Sequence, residues 1–89
     1  MFEKEEVSLK SAKVNHRYLV KKVGGNGALR RRIMDMGIVK GTMIYVRKLA
    51  PLGDPIQINL RGYELTLRRE DAKNIIVEDL GLHKKEEVR

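Results

Sequence analysis

The sequence predicts a mainly β domain: a small five-stranded barrel with one inserted α-helix over about residues 27–36 and a short helical turn near 69–74. Three observations lead there. Short β-branched and aromatic runs recur along the chain, each stopped by a glycine or proline turn. Only one stretch repeats its apolar residues at helical spacing. And 89 residues leave room for a single modest core, since a chain of this size hides only ~60–65% of the surface it exposes unfolded.

Taken in order, residues 17–23 (RYLVKKV) read as a strand that GGNG ends. In ALRRRIMDMG, Leu29, Ile33 and Met36 fall at i, i+4 and i+7, on one helical face, with Arg30, Arg31 and Asp35 turned outward. Asn26 suits the N-cap and Gly37 a left-handed C-terminal position, so both helix ends are marked. IVKGT turns the chain at Lys40-Gly41 into MIYVRKLA, a second strand. After the proline loop, IQINLR sets Ile56, Ile58 and Leu60 on one face, and Arg61-Gly62 is a two-residue hairpin turn. YELTLR continues with Tyr63, Leu65 and Leu67 inward; RREDAKN makes the helical turn, and IIVEDL is the last strand. Closing such strands into a barrel would hide sheet edges. Residues 1–7 and 81–89 are expected to be flexible ends around a domain spanning 8–80.

Nineteen basic residues face twelve acidic ones, a formal net charge of +7. Such a surface attracts nucleic acid, an anionic membrane face or an acidic partner. There is no cysteine, which removes disulfides and thiolate metal sites. The N-terminal residues are charged where a signal peptide is apolar, and no run approaches the ~20 apolar residues of a membrane span. The chain is expected to be cytoplasmic, without direct insertion into a membrane.

Catalysis has little to stand on. His16 and His83 have no helical i+3 or i+4 partner, the spacing that preforms many metal sites, and Ser8 and Ser11 lack a glycine elbow. No enzyme, cofactor or metal site is therefore expected. GGNG, residues 24–27, matches the G-x-x-G of KH domains, but a KH loop joins two helices, and no Lys-Ser/Thr follows for a phosphate loop. It reads as a strand-to-helix turn. Arg30, Arg31 and Arg32 fan out at ~100° per residue and cannot form one clamp; the stem of Arg32 is expected to cover the core's edge. They offer either a solvated face or a docking face for an acidic or phosphate-bearing partner. Single-strand RNA or DNA binding needs aromatic platforms. Tyr63 is expected to face inward and Tyr18 and Tyr45 are not clustered, so nucleic acid is disfavoured as partner, though a basic barrel binding RNA or DNA stays the alternative.

Residues 50–55, APLGDP, hold both prolines. Pro51 fixes its own φ and extends Ala50, Pro55 does the same for Asp54, and Gly53 can take positive φ between them. The loop would lose little entropy when something docks, with Leu52 exposed or half covered. Two readings stand level: a stiff contact surface with an apolar tip, or prolines that simply end two strands and protect a sheet edge.

The stretch RRRIMDMGIVKGTMIYVRKLAPLGDPIQINLRGYELTLRREDAKNIIV resembles the ferrous-iron transport protein A (FeoA) family. The family pattern is carried by Met36-Gly37-Ile38, Gly41-Thr42, residues 50–55, Arg61-Gly62-Tyr63, and Leu67-Arg68 with Ala72, in that order. The resemblance covers roughly residues 8–79 and implies an SH3-like barrel, similar also to the C-terminal domain of iron-dependent repressors. It implies a cytoplasmic accessory protein of ferrous-iron uptake, with the cytoplasmic part of the membrane GTPase FeoB as partner. A dedicated Fe²⁺ site finds only scattered carboxylates and unpaired histidines. Partner contacts are expected from Arg30 and Arg31 by charge, and from Pro51, Leu52, Gly53, Asp54 and Pro55 by shape.

Overall fold

The computed structural model describes residues 6–83. Six antiparallel strands form one sheet: β1 (Glu6–Ser8), β2 (His16–Val23), β3 (Met43–Leu49), β4 (Ile56–Leu60), β5 (Tyr63–Leu67) and β6 (Ile75–Leu82), in the order β1-β6-β2-β3-β4-β5. Two helices complete it, α1 (Gly27–Asp35) and α2 (Arg69–Ala72). The architecture is the expected mainly β, SH3-like barrel, with one more strand than the sequence predicts. The extra strand, β1, pairs Glu6, Val7 and Ser8 with Glu78, Val77 and Ile76 of β6. Three residues are too short to show alternation, so local pattern could not reveal it. Residues 1–5 and 84–89, the outer parts of the expected flexible ends, lie outside the described residues. Val7 and residues 81–82 of those ends sit in strands.

Alternation puts one face of each strand inside. Tyr18 and Val20 of β2, Ile44 and Val46 of β3, and Ile56, Ile58 and Leu60 of β4 are buried together. Ile75 and Val77 of β6 join them, and Ile33 of α1 closes one side with Leu29 and Met36 packed at its margin. Burying each such aliphatic side chain contributes about 1.5–3 kcal/mol, which is where a chain this short must find its stability. Asn26 Oδ1 accepts from the Leu29 N–H at 2.8 Å, as an N-cap should. At the other end Gly37 takes φ +95°, and its N–H donates to the Met34 carbonyl at 2.9 Å.

One side chain departs from expectation. Tyr63 is 71% exposed, not inward. It opens β5, which has a partner on one side only, so nothing lies across that end of the strand to cover a ring. The guanidinium of Arg32 meets Asp71 Oδ1 of α2 at 3.2 Å.

Candidate functional site

The β3–β4 connection is rigid in more ways than its prolines require. The Gly53 N–H donates to the Ala50 carbonyl at 2.7 Å, closing a tight turn with Pro51 and Leu52 at its centre. The Ala50 N–H donates to the Pro55 carbonyl at 3.0 Å, which closes the loop's base. Ala50 and Asp54 are extended, as residues before proline should be. Gly53 takes φ +80°, but so does its neighbour in kind: Leu52 sits at φ 70°, ψ 8°. A leucine in that left-handed region costs roughly 1–2 kcal/mol, and Leu52 recovers none of it by burial, being 96% exposed. Both flanking strands are interior to the sheet, β3 between β2 and β4, and β4 between β3 and β5. Edge protection is therefore not what the prolines do.

Asp54 ties the loop to the rest of the molecule. Its Oδ1 accepts from the Arg69 N–H at 2.9 Å, at the first turn of α2. The α2 N-cap position itself, Arg68, supplies no side-chain acceptor. The aspartate of the proline loop thus does remotely what a local Ser or Asp normally does. Beside the loop, Pro51 and Pro55 line a shallow groove with Leu49 and Thr66.

The arginines behave as three separate groups. Arg30 Nε donates to the Val23 carbonyl at 3.2 Å and borders a groove against β2. Arg31 is exposed. Arg32 is committed to Asp71. Arg30 and the two prolines line different grooves, so the residues expected to meet one partner are set on two patches.

At the far end of β2 lies a polar cluster that local spacing did not announce. His16 Nδ1 meets Asp79 Oδ1 at 2.9 Å across the β2–β6 pair, and the Gly81 N–H donates to the same oxygen at 2.8 Å. The His83 ring stands edge-on to Tyr45, whose hydroxyl donates to Asn15 Oδ1 at 2.9 Å. Strand pairing joined residues more than sixty positions apart, which an i+3 or i+4 search cannot see. Among the described residues no three His, Cys, Asp or Glu side chains gather as a metal would need. The tyrosines give no stacking row either: Tyr18 is buried, its hydroxyl accepting from the Lys13 N–H at 2.8 Å, and Tyr45 is half-buried.

The family model of the FeoA domain matches residues 7–79. The chain belongs to the FeoA family. A solved FeoA-like protein from Clostridium acetobutylicum superposes with a TM-score of 0.81 at 43% identity, covering 93% of this chain and 95% of that one. In Porphyromonas gingivalis (strain ATCC BAA-308 / W83), an Fe(2+) transport protein A/Fe(2+) transporter FeoB fusion protein is 45% identical over 60 residues. That match takes in 67% of this chain, which spans only 7% of the fusion's length. The FeoA fold also recurs in a manganese-dependent transcriptional repressor, with a TM-score of 0.77 over 90% of this chain and 45% of that one. At 15% identity this last likeness is one of fold alone. Among the described residues no helix of this FeoA-family chain is long and apolar enough to cross a membrane.

Proposed function

We propose that this chain is a non-enzymatic accessory protein of ferrous-iron uptake that docks on the cytoplasmic part of a FeoB-like membrane GTPase. One observation carries the reading: a relative joins a segment similar to this chain and FeoB in a single polypeptide. Fusion of two modules supports association of their separate counterparts, because a tether raises the effective concentration of an encounter that already has a surface. The chain works at the inner face of the cell membrane, recruited there by its partner.

The proline loop is the shape-bearing contact. A rigid hexapeptide with an uncovered leucine at its tip loses little freedom when a partner's apolar pocket closes on it. Arg30 and Arg31 steer the approach of an acidic surface, an effect that falls on association rate and salt dependence. The test is retention of this protein by an immobilised FeoB cytoplasmic domain, with GTP hydrolysis followed in the same reaction. Wild-type protein is retained; Leu52→Asp combined with Arg30→Glu and Arg31→Glu reduces retention by roughly tenfold or more. Undiminished retention of the triple variant would discard these contacts, and no retention of the wild type would discard docking itself.

A further inference from the structure

A groove of about 690 Å³ runs between the C-terminal half of β2 and the outer side of α1. Lys21, Lys22, Arg30 and Lys40 border it, with Met34 and Val39 as apolar surface between them. Among the described residues no acidic side chain lines it.

The fold assembles those four cations by three separate devices. Consecutive residues of a regular strand point to opposite faces, yet Lys21 and Lys22 line the same groove. The β2–β6 register slips between Val20 and Lys22: Val20 pairs with Val77 and Lys22 with Ile76, leaving Lys21 as the extra residue. Such a bulge re-aims side chains. Arg30 comes from the helix, and its bond to the Val23 carbonyl holds the guanidinium against the end of β2. Lys40 comes from the turn before β3, and that turn is pinned to β2 at both sides. The Gly41 N–H donates to the Val20 carbonyl at 2.8 Å, and the Val20 N–H donates to the Thr42 carbonyl at 2.9 Å. Among the described residues, Lys21 forms an ion pair with Glu78 at 3.6 Å, and Lys22 and Lys40 have none.

Like charges that border one groove repel one another, and the arrangement gains most from a ligand that brings negative charge. The apolar residues between them narrow the choice. Met34 is 38% exposed, and its flexible thioether adapts to varied side chains. A lone anion would leave it bare, and no aromatic ring lines the groove for a base to stack on. We propose that the groove takes a short acidic segment of a partner protein, its carboxylates meeting Lys21, Lys22, Arg30 and Lys40 and one aliphatic side chain covering Met34 and Val39. The inference rests on the docking reading in making the partner a protein, and it adds a second patch to the one the proline loop offers.

The test is an NMR titration of the full ¹⁵N-labelled chain with the capped pentapeptide Glu-Glu-Leu-Glu-Glu at about 50 mM salt, where charge contacts are strongest. Amide shifts are expected at Lys21, Lys22, Arg30, Met34 and Lys40. Gln-Gln-Leu-Gln-Gln should leave these amides unmoved, and Glu-Glu-Gly-Glu-Glu should bind about threefold or more weakly than the leucine peptide. Lys22→Glu with Lys40→Glu, both exposed, should weaken binding roughly tenfold while the spectrum elsewhere stays native. Lys48→Glu with Arg61→Glu, away from the groove, serves as the charge-matched control and should stay within about twofold. Shifts elsewhere, no shifts, equal losses in the two double variants, or equal binding of a thymidine pentanucleotide would overturn the assignment. No transporter is present in this titration, so its failure is distinct from a failed retention on FeoB.

Discussion

Leu52 is the residue whose cost has no return inside the domain. It holds a left-handed backbone at φ 70° and covers nothing. Replacing it with glycine should leave stability unchanged or raise it by up to about 1 kcal/mol, since glycine accepts that φ and no burial is lost. Urea unfolding measures this, and a clear destabilisation would mean the leucine packs against something after all. The same Leu52→Gly protein should be retained less by the FeoB cytoplasmic domain, separating contact from fold. Asp79 offers a second single-residue prediction. Burial alone would push its carboxyl up, but hydrogen bonds from His16 and the Gly81 N–H, with the charges of His16 and Lys13, outweigh burial and bring it below its ordinary 3.8. The unfolded chain then binds the proton more readily than the native one. Asp79's contribution to stability is therefore whole above about pH 4 and is lost as pH falls through the depressed native value. Asp79→Asn should flatten that part of the stability profile, seen as urea midpoints that converge with wild type at low pH.

At the scale of elements, the proline loop and α2 behave as one braced unit. Asp54→Ala removes the acceptor for the Arg69 N–H and should cost about 1 kcal/mol, the worth of a helix N-cap. Faster hydrogen exchange at Arg69 and Ala72 would accompany it; unchanged exchange there would deny the brace. Elements of this kind were legible where the chain carries its own punctuation. The helix had Asn26 before it and Gly37 after it, and both cap as expected. β4 had strict alternation and a two-residue turn, and Ile56, Ile58 and Leu60 are all buried. What stayed hidden was what lacks local signal. β1 is three residues long, and the bulge at Lys21 exists only in the mismatch between β2 and β6. Asp54 reads as a loop residue until α2 is placed fifteen positions away in sequence and within hydrogen-bond reach in space.

The whole molecule is one core wrapped by one sheet, and it has little stability to spare. Ile44 is fully buried in β3, near the middle of the strand order. Ile44→Ala should cost about 2–5 kcal/mol by removing buried surface and leaving a cavity. In a domain this small that is enough to depress its thermal midpoint steeply, which calorimetry would show. A loss well under 1 kcal/mol would mean the barrel collapses around the gap. The outer surface, by contrast, is cationic and tolerant, and the features that point to partners lie there: the bare leucine and the four-cation groove.

The sequence by itself determined the fold class, the helix with its caps, the stiffness of residues 50–55 and the family. Each of these is written in neighbouring residues: alternation, glycine and proline placement, and a motif order that short-range sterics enforce. Only the tertiary structure decided which side chains share a surface. Pairing β2 with β6 brought His16 to Asp79 and left Lys21 as the extra residue beside Lys22, while the place of β5 at the sheet edge left Tyr63 uncovered. The fold also set Arg30 and the two prolines on different grooves. The reason is physical: register and sheet order are settled by long-range burial of the whole core, and no short window of the chain contains that information.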